Sequence, residues 1–141
     1  MSRPLIVMLL TVFSLAAPAR AFEDAAVHGR LRTLRAELAR ESSASDRLKS
    51  FDRFGDFLEE HLEKVTLAHT AKGEEEFASL NEFAVSFFAV DLDPVNATNC
   101  RLSREKVLSE GRVREGGLEN GKVSYTPAAL LTLELVNLVC R

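Results

Sequence analysis

Thr126-Pro127-Ala128-Ala129-Leu130-Leu131-Thr132-Leu133-Glu134-Leu135-Val136-Asn137-Leu138-Val139-Cys140-Arg141 is the stretch whose reading decides the fold. Thr126 can accept from the free amides of a first helical turn, and Pro127 suits that turn, so a helix starts here. Beyond them only Thr132, Glu134 and Asn137 interrupt the apolar run. A helix without a broad polar face is normally enclosed by protein, so the other helices are expected to pack around this one. The run closes on Cys140, one of two cysteines in the sequence, and the enclosed helix is therefore a candidate for covalent pinning.

The opposite end reads differently. Met1-Ser2-Arg3 is basic, Leu5 to Ala17 is apolar except for Thr11 and Ser14, and Ala19-Arg20-Ala21 places small residues where a signal peptidase inspects them. The expectation is a signal peptide over 1–21 and a single helical domain over 22–141. Thirteen apolar residues fall short of the roughly 20 that cross a bilayer, and no cysteine follows the run to carry a lipid. Losing Arg3 and Arg20 with the leader takes Lys+Arg from 18 to 16 against 21 Asp+Glu, a net charge of −5. An acidic chain with no basic stripe is not expected to bind nucleic acid. No second long apolar run occurs, so the mature chain is expected to lack a transmembrane segment and to be periplasmic or secreted. In such an oxidising compartment two cysteines read as a disulfide, Cys100–Cys140. A metal site would need histidines nearby, and none lies close in sequence to either cysteine.

Between these ends the periodicity is helical. Val27, Leu31, Leu34 and Leu38 share one side of a helix over 24–40. Ser43 or Ser45 can cap a second helix over 46–71, whose stripe is Leu48, Phe51, Phe54, Leu58, Leu62 and Val65, widened by Phe57. Lys72-Gly73 reads as its stop, with the glycine taking the left-handed turn. Glu74-Glu75-Glu76 opens a third helix against its positive end, and Phe77, Leu80, Phe83, Ala84, Phe87 and Phe88 supply its buried side until Asp91-Leu92-Asp93-Pro94 ends it. The short link makes these two helices an antiparallel hairpin. A short helix is expected around 100–109, with Cys100, Val107 and Leu108 inward. From 110 to 125 the glycines break the pattern, and Asn120-Gly121 signals either a β-hairpin turn or an open loop. The fold class is all-α: a bundle of four main helices plus one short helix, closed by one disulfide.

Motif matches fail on their chemistry. Gly116-Gly117-Leu118-Glu119-Asn120-Gly121-Lys122-Val123 comes close to a phosphate-binding loop, but Val123 stands where a hydroxyl must hold magnesium and no buried strand leads in. Ser103-Arg104-Glu105-Lys106 matches the Ser-x-x-Lys of penicillin-recognising enzymes at two residues only. The accompanying Ser-Asp-Asn and Lys-Thr-Gly elements are absent, and on a helix Ser103 and Lys106 read as exposed neighbours. His61 and His69, eight residues apart, would sit about 12 Å apart along a helix, too far to share a metal. Asn96-Ala97-Thr98 is a glycosylation acceptor that matters only in a eukaryote. No catalytic residue, metal or cofactor is expected, and the chain is read as non-enzymatic.

Two binding surfaces remain. Residues 74–93 hold six acids and no base, whereas 100–122 hold six bases and four acids. Arg101, Arg104, Lys106, Arg112, Arg114 and Lys122 are expected to ring the glycine-rich loop, answering the acidic helix or meeting a partner. Loops on rigid scaffolds often carry function, so Arg112, Arg114, Glu115, Leu118, Lys122 and Tyr125 are the candidate contacts. The partner expected is another protein, as for an inhibitor, immunity factor or adaptor, with a homo-oligomer as a further option. The alternative is a carrier of an apolar ligand or lipid on the phenylalanine-rich hairpin over 46–90, using Phe83, Phe87 and Phe88.

Overall fold

The computed structural model describes residues 24–68, 73–114 and 123–141; the expected signal peptide lies outside them. Among these residues, five helices and one two-stranded ribbon follow in chain order. Helix α1 (Ala25–Arg40) starts where the Asp24 carboxylate accepts from the Val27 amide, and it buries Val27, Leu31, Leu34 and Leu38, the four residues its periodicity selects. Ser43 caps α2 (Ala44–Leu67) through the Asp46 amide. The three-residue link between α1 and α2 makes them antiparallel, so the start of α1 meets the far end of α2, where His61 reaches Asp24 at 2.8 Å.

Helix α2 turns the expected stripe inward, with Leu48, Phe57, Leu62 and Val65 packed at the edge of the core, and adds polar burial at its near end. Arg47, Ser50, Phe51, Phe54, Gly55 and Leu58 are its buried residues, while Leu48 is half-buried. The near end takes in polar groups because the Arg47 guanidinium has acceptors inside. It donates to the main-chain oxygens of Glu41, Ser42, Val139 and Arg141 at 2.8–3.2 Å. The helix also ends at Leu67, short of the expected Ala71.

Helix α3 (Glu74–Phe88) begins on its three glutamates and runs back along α2. Phe51 stacks on Phe87 with ring centres 4.3 Å apart, and Phe54 meets Phe83 at 6.2 Å. Gly73 sits at φ −98°, so it opens α3 in ordinary right-handed backbone and does not make the expected left-handed turn. After a cis Asp93–Pro94 bond, Asn96 caps α4 (Ala97–Glu110) by accepting from the Asn99 amide. This is the helix expected to be short. It runs 14 residues and buries Cys100, Ser103 and Val107, because its cap lies four residues before Cys100. Leu108 is only half-buried. Strands β1 (Arg112–Arg114) and β2 (Val123–Tyr125) then pair antiparallel in the register Arg112↔Tyr125, Val113↔Ser124, Arg114↔Val123, so the two ends of this segment form a ribbon; the expected Asn120-Gly121 turn lies outside the described residues.

The terminal helix α5 (Pro127–Val139), capped by Thr126 on the Ala129 amide, packs against all four other helices. Leu135, Val136 and Val139 are fully enclosed, and Cys140 joins Cys100 in a disulfide with Cα atoms 6.1 Å apart. One narrow side faces out: Leu130 is 49% exposed, and Leu131 is half-buried. Along that side Glu134 takes two bonds from Arg35, and Asn137 accepts one from Arg104. Two of the three polar breaks in the apolar run are therefore where neighbouring helices are tied on, while the third, Thr132, is buried and donates to the Ala128 carbonyl of its own helix.

Candidate partner-binding surfaces

A two-stranded ribbon is marginal by itself, so the β1–β2 hairpin depends on its base. Gly111 ends α4 by donating to Val107, and its own carbonyl accepts from the Thr126 amide at 2.9 Å. A β-carbon at Gly111 would overlap the Ala129 side chain and crowd the Val107 carbonyl oxygen. The hairpin thus leaves and rejoins the bundle at a point where α4 and α5 touch, close to helices held by the cystine. Of the candidate contacts, Arg112 is exposed and Tyr125 half-buried, and Val123 and Ser124 beside them are open. Arg114 lies in β1 opposite Val123. Glu115, Leu118 and Lys122 fall outside the described residues, as does the glycine-rich near-match to a phosphate loop up to Lys122.

The bases expected to ring this loop do not act as one set. Arg101 pairs with Glu105 on its own helix, and Arg104 is directed to Asn137. Ser103, read as exposed, is buried and donates to the Asp91 carbonyl at 3.1 Å. That bond fastens the α3–α4 connection, which is a structural task for the hydroxyl.

The three phenylalanines of the alternative surface are split by the packing. Phe83 is fully enclosed, Phe87 is 3% exposed, and Phe88 is 48% exposed. Phe87 and Phe88 line an open groove of about 430 Å³ together with Phe51, Gly55 and Val90. Gly55 lets the groove come close to the core, since a β-carbon there would press on the Phe87 ring. Asp52, Asp56 and Glu59 line the same groove from α2, at the i, i+4, i+7 spacing that puts them on one helical face. Burial pushes the Asp52 carboxyl above its ordinary range, and the nearby charges of Asp93 and Asp56 push it the same way.

At the end of α2 the polar arrangement is local. His61 stacks on Phe57, whose ring also carries the Arg30 guanidinium at 4.7 Å. Burial pushes Asp24 up, but the His61 hydrogen bond and the Val27 amide outweigh it and hold the carboxyl below its ordinary value. Among the described residues no three His, Cys, Asp or Glu side chains converge on a common metal position, and no helix is long and apolar enough to cross a membrane. His69 lies outside those residues.

No family model matches the chain, and neither a curated protein nor a solved structure is significantly similar to it. The spacing of Asp52, Asp56 and Glu59 is a signal that the sequence carries but that the reading of its motifs passed over. What spacing could not reveal was the half-exposed ring beside these carboxylates, which exists only once α3 is laid against α2.

Proposed function

We propose that this chain is an exported, non-enzymatic protein-binding module, of the inhibitor, immunity-factor or adaptor kind, and that the β1–β2 hairpin contacts its partner. The observation that carries the reading is the contrast between the hairpin's open strands and its clamped base. Arg112, Val123 and Ser124 are exposed, yet Gly111 and Thr126 fix the ribbon to α4 and α5. A contact element held this way loses little freedom on binding, which favours affinity. Export rests on the leader-like first 21 residues and on the cystine, a bond that oxidising compartments maintain.

The test is affinity capture from native envelope extract of the producing cells, compared with Arg112→Glu/Arg114→Glu. A protein recovered by the native chain and lost by the variant, at an unchanged melting temperature, supports the hairpin as the contact. Equal recovery by both removes it.

A further inference from the structure

We infer that the groove between α2 and α3 is a second interaction surface, and that it takes a cationic amphipathic segment of another protein: an apolar side chain over Phe88 and Val90, flanked by lysine or arginine against Asp52, Asp56 and Glu59. Two features of the groove fit each other in this way. Its apolar side is incompletely covered, with Phe88 48% and neighbouring Val85 59% exposed one turn apart on α3. Its other side is a row of carboxylates that, among the described residues, makes no ion pair; the nearby bases of α2 are directed elsewhere, Arg53 to Glu37 at 3.9 Å and Lys49 to Asp46 at 4.0 Å. Asp93 adds its field to Asp52 from the loop after α3.

Like charges gathered beside an exposed ring are unfavourable in the free protein, because each resists ionisation of the next. A partner bearing cations relieves that repulsion as it covers the ring, so both terms favour the same occupant. A neutral lipid would cover the ring and leave the carboxylates crowded in a drier site. An anionic surface would be repelled. Rim charges of this kind act mainly on orientation and association rate, while the buried side chain supplies most of the affinity. The inference is independent of the hairpin, which lies on other elements.

The probe is a synthetic helical peptide of leucine and lysine with its leucines along one face, and its counterpart with glutamate for lysine. Binding of the lysine peptide, followed by calorimetry and by amide shifts, is expected to perturb the Phe87–Val90 segment and to weaken as salt is raised. Asp52→Asn/Asp56→Asn/Glu59→Gln should lower affinity about tenfold, mostly through the association rate, and Phe88→Ser should lower it by more. The triple variant removes repulsion, so it folds at least as stably and its loss of binding is not unfolding. Neutralising three acids elsewhere, Glu74→Gln/Glu75→Gln/Glu76→Gln, controls for net charge and should leave most of the affinity. Equal losses in the two triple variants, or shifts away from α2 and α3, overturn the inference. So does concentration-dependent self-association abolished by Phe88→Ser, which would make a second copy the occupant.

Discussion

Arg47 is the residue on which two chain segments depend. The residue is 5% exposed and its guanidinium is matched by four main-chain oxygens. A cation is well placed there, because the Val139 carbonyl belongs to the negative end of α5. Arg141 works the same way on α1, donating to Leu38, Ala39 and Glu41. Arg47→Met removes the donors and leaves buried carbonyls unpaired, so it should cost about 3 kcal/mol in urea unfolding. Arg47→Lys should recover only part of this, since one ammonium cannot span the planar fan that a guanidinium fills. Full recovery by lysine would mean that charge alone matters. Asp24 makes a pH-dependent contribution. Its carboxyl titrates below the ordinary 3.8 in the folded chain, so its stabilisation is present above that value and fades as pH falls through the folded pKa. Asp24→Asn keeps a capping oxygen but weakens the bond to His61. It should cost about 1 kcal/mol at neutral pH, and melts at acid pH should show the two proteins converging.

At the scale of elements, the glycines separate in a way the one-letter code cannot show. Gly29 lies inside α1 with only the tip of Arg32 within 4.0 Å of an added β-carbon. Gly29→Ala should therefore stabilise the helix by about 0.5–1 kcal/mol. Gly111→Ala should do the opposite, because its methyl would collide with Ala129 at the base of the hairpin; a cost of about 2 kcal/mol is expected. Adding Ala129→Gly should return part of that loss, and the double-mutant cycle reads the coupling directly. If Gly111→Ala is neutral, the clamp does not hold the hairpin. The helix starts at Asp24, Asn96 and Thr126, by contrast, use side-chain oxygens that act within three residues. Caps at such short range can be recognised in a linear reading, but Asn96 also reads as a glycosylation acceptor, and missing its capping role makes α4 too short.

For the whole molecule the cystine ties α4 to the end of α5 across a separation of 40 residues. On the chain-entropy account that loop closure is worth up to about 4 kcal/mol. Cys100→Ser/Cys140→Ser should lower unfolding stability by about 2–4 kcal/mol while retaining the helical signal, because α5 still meets every other helix. An unchanged melt would show that packing alone holds the tail. The all-helical bundle, the enclosed α5 and the Cys100–Cys140 pair were all present in the linear chain. Each follows from short-range periodicity, a capping residue, or the count of two thiols, and none needs to know what lies across the core. The burial of Arg47 beside Leu48, the close approach at Gly111 and the meeting of Phe88 with the α2 carboxylates were decided by tertiary structure. Their causes are residues distant in sequence, and only the packed helices bring those within a few ångströms.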